Sequence, residues 1–259
     1  MRILGVDIGG TNIDIVIYDG DFHHVGSYST SEVFSAGIDS FIEKIAEEVG
    51  AVAVGIGAAV WIKGDKPILA PNLPSIPQLD LKIPAVIEND ANCFAVYAHH
   101  VFKLPNILAI TVGTGIGSGI ITNEELYRGD GLAGELGHWF VGGSEECSCG
   151  GKGHLEAYFG GRALKNKYGD VKELVSSGKV YSLKEFELFC TAVANAVTLL
   201  DSSAVVLGGR IGMNLMAEKV KEGIYRHLMP GFTPEVLALK DELAVAKGAC
   251  LVCLKTLKR

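Results

Sequence analysis

The chain has 259 residues, of which 48% are hydrophobic and 20% charged, and its formal net charge at pH 7 is −7. This composition excludes a disordered chain, and the acidic balance argues against nucleic-acid or anionic-membrane partners, which need basic surfaces. The apolar stretch 104–122 is interrupted by Pro105, Asn106 and several glycines, which predicts buried strands and no membrane span. Residues 1–7 are too short an apolar segment for a signal peptide, so we expect a cytoplasmic protein.

Hydrophobic periodicity alternates between the two-residue repeat of strands and the repeat of helices, which predicts an α/β fold. In chain order, the predicted strands are 3–8, 13–17, 22–28, 51–56, 85–87, 107–112, 116–122 and 204–207. The predicted helices are 36–49, 90–101, 154–167, 183–201, 213–227 and 241–256. Segments 63–84 and 133–161 are rich in glycine and polar residues and are predicted to be mainly irregular.

A strand, a glycine turn and a second strand occur at the start of the chain and again at 107–122. This duplication predicts two similar lobes that face each other. The expected N-terminal lobe comprises residues 1–105 and is completed by the C-terminal helix within 241–259. The expected C-terminal lobe comprises residues 106–240 and carries a loop rich in histidine and cysteine.

The first glycine loop has the sequence Asp7-Ile8-Gly9-Gly10-Thr11-Asn12. Glycine lets successive backbone amides approach an anion, so the loop could bind phosphate. It lacks the Gly-Lys-Ser/Thr ending of a P-loop, and a strand follows it where a dinucleotide-binding fold has a helix. Asp7, at the end of the preceding strand, could hold Mg²⁺. The alternative is a glycine hairpin turn with a hydrogen-bonded aspartate, and this motif alone does not decide between them.

A second glycine loop, Gly113-Thr114-Gly115-Ile116-Gly117, occupies the corresponding place in the other half of the chain. Two such loops, one from each lobe, favour a nucleotide triphosphate bound from both sides, with Thr11 and Thr114 as hydroxyl donors. A third element, Gly208-Gly209, ends a strand and opens a helix. It is compatible with adenosine binding or with close packing alone.

Asn89-Asp90 lies where a short strand gives way to a helix. Both residue types are favoured as helix N-caps, and this structural interpretation is the stronger one for the pair taken alone. The functional alternative makes Asp90 a general base directed into the cleft between the lobes.

A dense cluster of His138, Cys147, Cys149 and His154 lies in the glycine-rich segment. Two cysteines and two histidines form a ligand set suited to tetrahedral structural zinc. Cysteines separated by one residue rarely form a disulfide. The alternative is a pair of reduced thiols beside surface histidines, and the tight clustering favours zinc.

Taken together and in this order, the motifs resemble those of the ROK family (repressors, open reading frames and sugar kinases), within the actin-like ATPase superfamily. The segments that carry the resemblance are Asp7–Thr11, Glu88–Asn92, Gly113–Gly117, Gly134–His138 and Cys147–Glu156. The resemblance implies two ribonuclease-H-like lobes with ATP and a sugar in the cleft between them. It also implies Mg²⁺ with the nucleotide, a structural Zn²⁺ and a homodimer.

The resemblance assigns roles to individual residues. Asp90 corresponds to the base that takes the proton from a hexose hydroxyl. The positions that contact sugar hydroxyls are Asn72, Asn89, Asp90, Glu135, His138 and Glu156. The expected nucleotide-binding residues are Asp7, Gly9, Gly10, Thr11, Asn12, Gly113, Thr114, Gly115, Gly117, Gly208 and Gly209. The sequence departs from the family pattern at His154, where a third cysteine is usual, and at 57–60, which lack the usual Pro-Gly.

We therefore expect an ATP-dependent hexose kinase, most simply a glucokinase. An N-acetylhexosamine, mannose or fructose kinase is an alternative. A sugar-sensing regulator is a further alternative, since ROK repressors share the sugar and zinc motifs. The first glycine loop begins at Asp7, which leaves no room before it for a DNA-binding domain, so we expect the kinase.

Overall fold

In the computed structural model, which describes residues 1–64, 66–70, 73–77 and 79–258, the chain forms two compact units. Unit 1 comprises Met1–Tyr97, Gly129–Leu132 and Leu243–Arg259, and unit 2 comprises Ala98–Arg128 and Ala133–Glu242. Each unit is built on a five-stranded sheet that mixes parallel and antiparallel pairs. The predicted α/β class with two lobes is confirmed. None of the described helices combines the length and apolarity needed to cross a lipid bilayer.

The elements alternate along the chain. The strands are β1 (Ile3–Ile8), β2 (Asn12–Tyr18), β3 (Phe22–Ser29), β4 (Ala53–Ala58), β5 (Trp61–Lys63), β6 (Lys66–Leu69), β7 (Ala85–Asn89), β8 (Ile107–Val112), β9 (Ile116–Thr122), β10 (Glu125–Tyr127), β11 (Ala204–Gly208) and β12 (Glu235–Ala238). The helices are α1 (Thr30–Ala36), α2 (Ile38–Val49), α3 (Asp90–Phe102), α4 (Glu156–Phe159), α5 (Gly161–Tyr168), α6 (Val171–Ser176), α7 (Lys184–Leu200), α8 (Gly209–Gly212), α9 (Ala217–Tyr225) and α10 (Ala244–Leu257). Two short 3-10 turns lie at Leu136–His138 and Lys179–Ser182.

Helices cover both faces of the sheet of unit 1, whose strand order is β3-β2-β1-β4-β7. On one face, alternate side chains of β1 and β2 pack against α1 and α2 in a buried apolar cluster. On the other face, Ile3 and Val16 pack against Ala246, Cys250 and Cys253 of α10. The last helix of the chain therefore completes the core that its first strand begins.

The approach of α10 to this sheet is so close that only glycine fits beneath it. A β carbon at Gly5 would overlap the Ala246 carbonyl oxygen and the Cys250 sulfur, and one at Gly55 would overlap the Ala249 carbonyl. Glycine weakens a strand interior by itself. Here its missing side chain permits direct contact between a helix backbone and the sheet.

The sheet of unit 2 has the order β10-β9-β8-β11-β12. Its core joins β8 and β11 to α7 and α9. Aromatic side chains fill the space beside α7, where the rings of Phe159 and Phe189 stack with centroids 4.7 Å apart. Phe186 packs against both rings.

The structure divides one of the predicted helices and changes the bounds of two others. The predicted helix 36–49 corresponds to α2, which begins at Ile38, after Gly37 with φ of 99°. Gly160 adopts extended backbone between α4 and α5, within the predicted helix 154–167. The helix predicted from 213 begins at Ala217, after the separate short helix α8. The elements that were not predicted from the sequence are α1, α6, β10, β12 and the hairpin of β5 and β6.

Replacement of Gly55 by alanine tests the contact between α10 and the sheet. We expect Gly55→Ala to lower the free energy of unfolding by about 2–3 kcal/mol, because the new methyl group forces the α10 backbone away. The measurement is denaturant unfolding. Gly113→Ala is the control, since its added β carbon finds no described heavy atom within 4 Å, and it should change stability by less than about 1 kcal/mol. Equal stability of the two variants would contradict this packing.

Candidate functional site

The first glycine loop and Asp90 lie at the same edge of the sheet of unit 1. Strands β1, β4 and β7 are parallel, and their register pairs Asp7 with Gly57 and Gly57 with Glu88. The carboxyl ends of these strands therefore meet at one edge. Because one strand separates β1 from β7, the two strand ends are about 10 Å apart. The fold brings together two motifs separated by some eighty positions in the sequence.

Hydrogen bonds from outside the first glycine loop fix its backbone. Within the loop, the Gly9 amide donates to the Asn12 carbonyl at 3.0 Å. From the start of α1, the Thr30 hydroxyl donates to the Gly9 carbonyl at 2.7 Å and the Thr30 amide donates to the Thr11 carbonyl at 3.0 Å. Thr30 is fully buried, whereas Gly10 and Thr11 are exposed. The buried Thr30 therefore fixes the backbone of the loop, while the tip of the loop at Gly10 and Thr11 is open to solvent.

At the start of α3, Asn89 is the helix cap and Asp90 is the first helical residue. The Asn89 side-chain oxygen accepts from the amides of Ala91 and Asn92 at 2.9 and 3.1 Å, and its amide group donates to the Val60 carbonyl at 3.0 Å. Asn89 is therefore a helix N-cap, as the structural interpretation of the Asn89-Asp90 pair predicted. Asp90 accepts from the Ala91 amide at 2.8 Å and remains partly exposed.

Glu88 stabilises the same junction from the interior. Its buried carboxylate accepts from the Asn89 amide and from the Asn92 side chain, both at 2.9 Å. Buried charged groups are costly unless they are hydrogen bonded. These bonds fix the turn from β7 into α3 and so fix the position of the Asp90 backbone.

In unit 2, the second glycine loop connects β8 to β9 and is held by the first residues of α4 and α5. The amides of Gly161 and Arg162 donate to the carbonyls of Gly113 and Thr114, both at 2.9 Å. The Ile116 amide donates to a carboxylate oxygen of Glu156 at 2.9 Å. Three contacts from the N-terminal residues of α4 and α5 therefore define the shape of this loop.

The third glycine element lies beside the second glycine loop. Strand β11 is parallel to β8, with Gly208 paired to Thr111. Gly209 has φ of +72°, and a β carbon there would lie 2.7 Å from the Val112 carbonyl oxygen. Close packing therefore accounts for Gly209, and both glycine elements lie at one edge of this sheet.

The four residues of the histidine and cysteine cluster converge in unit 2. One candidate ligand atom from each of His138, Cys147, Cys149 and His154 lies within 4.8 Å of the other three. The Cys147 sulfur is 3.4 Å from His138 Nδ1, and the Cys149 sulfur is 3.2 Å from His154 Nδ1. Zinc with Zn–S of about 2.3 Å and Zn–N of about 2.0 Å needs tetrahedral ligands at comparable separations, so the cluster fits this metal.

Burial changes the proton affinities in this cluster. It raises the pKa of the Cys147 thiol. It also lowers the pKa of His138, against the opposing effect of the nearby Glu156 carboxylate. The neutral imidazole that burial favours is the form that ligates a metal. The His138 side chain is only 15% exposed, which disagrees with the alternative of surface histidines.

Three predicted sugar-binding residues lie around this cluster, and one lies outside the described residues. His138 Nε2 is 3.9 Å from a Glu135 carboxylate oxygen, and Glu156 affects the pKa of His138. Asn72 is the predicted residue outside the described part of the chain, and Asn89 lies in unit 1. Several residues that fix the loops were not predicted from the sequence: Thr30 for the first glycine loop, Gly161 and Arg162 for the second, and Ser148, whose hydroxyl donates to Glu156 at 2.6 Å. Only Ser148 had a signal, since it lies between the two cysteines of the cluster.

Comparison with known proteins identifies relatives of this chain. The model of the ROK family matches residues 3–250. The N-acetyl-D-glucosamine kinase of Haemophilus influenzae is 27% identical over 272 residues, covering 87% of this chain and 90% of that relative. The structure of the ROK hexokinase from Thermus thermophilus has a TM-score of 0.81 at 28% identity and covers 100% of this chain and 99% of that chain. The ROK family glucokinase of Streptomyces griseus, solved in complex with glucose and AMPPNP, has a TM-score of 0.79 at 26% identity and covers 98% of this chain and 100% of that chain.

Metal analysis tests the ligand cluster. We expect about one zinc ion per chain, and we expect Cys147→Ser to weaken zinc binding more than about 100-fold, since loss of a ligand costs more than loss of a neighbouring contact. The measurement is zinc content after dialysis against a competing chelator. Ser144→Ala, at an exposed serine of the same loop, should retain the metal. Wild-type protein without zinc would show that the cluster is a set of reduced thiols.

Proposed function

We propose, since this chain belongs to the ROK family and is an ATP-dependent sugar kinase, that it transfers the γ-phosphoryl group of ATP to the primary hydroxyl of a hexose. The observation that carries the proposal is the shared sheet edge of the first glycine loop and Asp90. A kinase needs an acceptor base near the phosphate-binding backbone, because phosphoryl transfer depends mainly on positioning and charge neutralisation.

In this proposal Asp90 is the general base. Its carboxylate takes the proton of the sugar hydroxyl as the oxygen forms its bond to phosphorus. Because Asp90 is the first residue of α3 and accepts a hydrogen bond from the next amide, its orientation is restricted. A positioned base contributes about 10²–10⁴ to a rate.

The glycine loops bind the nucleotide in this proposal. The proposed nucleotide contacts are Gly9, Gly10, Thr11 and Asn12 of the first loop, Gly113, Thr114, Gly115 and Gly117 of the second, and Gly208-Gly209. The amides of Gly9 and Ile116 donate to the Asn12 carbonyl and to Glu156, so these two amides maintain the shapes of the loops. Asp7 would hold the Mg²⁺ that accompanies ATP, since a carboxylate suits this hard cation. Preorganised amides favour the charge that develops in the transition state, because they need no reorientation during the reaction.

The proposed sugar-binding residues are Asn89, Glu135, His138 and Glu156, together with Asp90. Carboxylates and amides can accept and donate the paired hydrogen bonds that sugar hydroxyls require. Zinc in the histidine and cysteine cluster, when bound, would supply structural rigidity to the loop that carries His138. We propose glucose as the substrate, because the similar Streptomyces griseus enzyme was solved with glucose.

N-acetylglucosamine is the second candidate substrate. The observation in its favour is the 27% identity to the Haemophilus influenzae N-acetyl-D-glucosamine kinase over 87% of this chain. The two sugars differ at C2, where an acetamido group replaces a hydroxyl. The choice therefore depends on the space available beside that carbon.

Replacing Asp90 with asparagine tests the catalytic proposal. We expect Asp90→Asn to lower kcat by about 10²–10⁴, because an amide cannot accept the proton. Sugar affinity should stay within about threefold, since the amide retains hydrogen-bonding groups of the same shape. The measurements are ADP release in a coupled assay and calorimetric sugar binding. Asp21→Asn, in the exposed turn before β3, is the matched control. Substantial turnover by Asp90→Asn would remove Asp90 from this role.

A panel of sugars tests the proposed substrate. We expect kcat/KM for glucose to exceed that for N-acetylglucosamine, mannose and fructose by at least about tenfold, because a hydroxyl that lacks its hydrogen-bond partner is costly in a polar site. Initial rates with ATP and each sugar give the comparison, and ADP or polyphosphate replaces ATP in a second series. A preference for N-acetylglucosamine would establish the second candidate in place of glucose.

A further inference from the structure

Glu156 connects two loops of unit 2 that are far apart in the sequence. One carboxylate oxygen accepts from the Ile116 amide of the second glycine loop at 2.9 Å. The other accepts from the Ser148 hydroxyl, between the two cysteines of the cluster, at 2.6 Å. Hydrogen bonds to an ionised acceptor are stronger than bonds between neutral groups. The Glu156 side chain therefore connects the second glycine loop to the loop that carries Cys147 and Cys149.

The contact between Glu156 and the second glycine loop is tight. A β carbon at Gly115 would overlap the same Glu156 oxygen that accepts from Ile116. A β carbon at Gly160 would lie 3.1 Å from the Glu156 side chain and 3.3 Å from the Thr114 carbonyl oxygen. The Glu156 side chain is therefore confined between the second glycine loop and Gly160, the residue that follows α4.

The position of Ser148 depends on the residues beside it. Cys147 and Cys149 are both candidate metal ligands, and the Cys147 amide donates to the Gly151 carbonyl at 2.8 Å, which closes the turn around Ser148. A metal held by both flanking residues would leave the serine backbone little freedom. The hydroxyl would then be presented to Glu156 from a rigid turn.

We propose that Ser148 is a positioning residue that orients the Glu156 carboxylate toward the sugar, so that sugar affinity depends on both the metal loop and the second glycine loop. This proposal rests on the proposed function, in which Glu156 contacts sugar hydroxyls. An ionised carboxylate has about four acceptor sites. Ser148 and Ile116 use one site on each oxygen, which leaves acceptor capacity for the substrate in a fixed direction.

Three serine variants test the part played by the hydroxyl. In zinc-loaded enzyme, Ser148→Ala should raise the sugar KM and the calorimetric Kd about fivefold while kcat stays within about twofold, because the bond is charge-assisted but accessible to water. Ser148→Thr keeps a hydroxyl and should restore most of the affinity. Ser144→Ala is the control in the same loop. Zinc content and Tm are measured for every variant, and both should be unchanged.

A glycine variant tests the other end of the connection. Gly115→Ala should weaken sugar binding measured without nucleotide at least as much as Ser148→Ala, because the new methyl group displaces the Glu156 carboxylate. Ser144→Ala, at an exposed serine outside the second glycine loop, is the control for this sugar-binding measurement. If Gly115→Ala affected only the second glycine loop itself, sugar binding without nucleotide would not change. Weaker sugar binding would therefore indicate that the effect reaches the sugar through Glu156.

The possible results separate this inference from the proposed function. If the wild-type chain binds and phosphorylates no hexose, the proposed function fails. If the wild type is active and Ser148→Ala binds sugar as Ser144→Ala does, the positioning role is wrong. Loss of zinc from Ser148→Ala would assign any effect to the metal site and would also overturn the proposal. Weakened binding with full zinc content, together with recovery in Ser148→Thr, would support it.

Discussion

The two glycine loops depend on hydrogen bonds that come from elsewhere in each unit. A glycine-rich loop loses more conformational entropy on folding than other segments, so it adopts one shape only when its peptide groups are held. Thr30 supplies this constraint for the first loop. Gly161, Arg162 and Glu156 supply it for the second. Donors fixed in advance need little reorganisation when an anion arrives, which is the property that a phosphate site requires.

Local patterns predicted the elements whose periodicity lies within one segment. The alternating isoleucines of β2 and the helical spacing in α2 are examples, and both elements have the predicted type. The hairpin of β5 and β6 was missed because each strand has at most four residues and Pro67 lies within the second. Strand β12 likewise has only four residues. Its pairing with β11 is a tertiary interaction that short-range periodicity does not report.

In the candidate site too, features formed by residues close together in the sequence were predicted, whereas contacts between residues far apart in the sequence were not. The cluster around Cys147 was predicted because three of its four members fall within eight positions, and the fold brings His138 to them. The contacts of Glu156 with Ile116 and of Thr30 with Gly9 join residues 40 and 21 positions apart. Composition and spacing carry no signal for such pairs. The two interpretations of Asn89-Asp90 apply to different residues of the pair. Asn89 caps α3, and the adjacent Asp90 is the proposed base.

The substitution of histidine at position 154 has an electrostatic consequence for this site. A zinc ion held by two thiolates and two neutral imidazoles carries no net charge, whereas a third thiolate would leave it with one negative charge. Carboxylates surround this site, because Glu135 and Glu156 lie close to His138 and Glu145 is exposed on the same loop, where Glu146 pairs with Lys152 at 3.4 Å. A neutral metal centre adds no repulsion to these carboxylates. With His154 as the fourth ligand, a zinc ion in this cluster would carry no net charge beside these carboxylates.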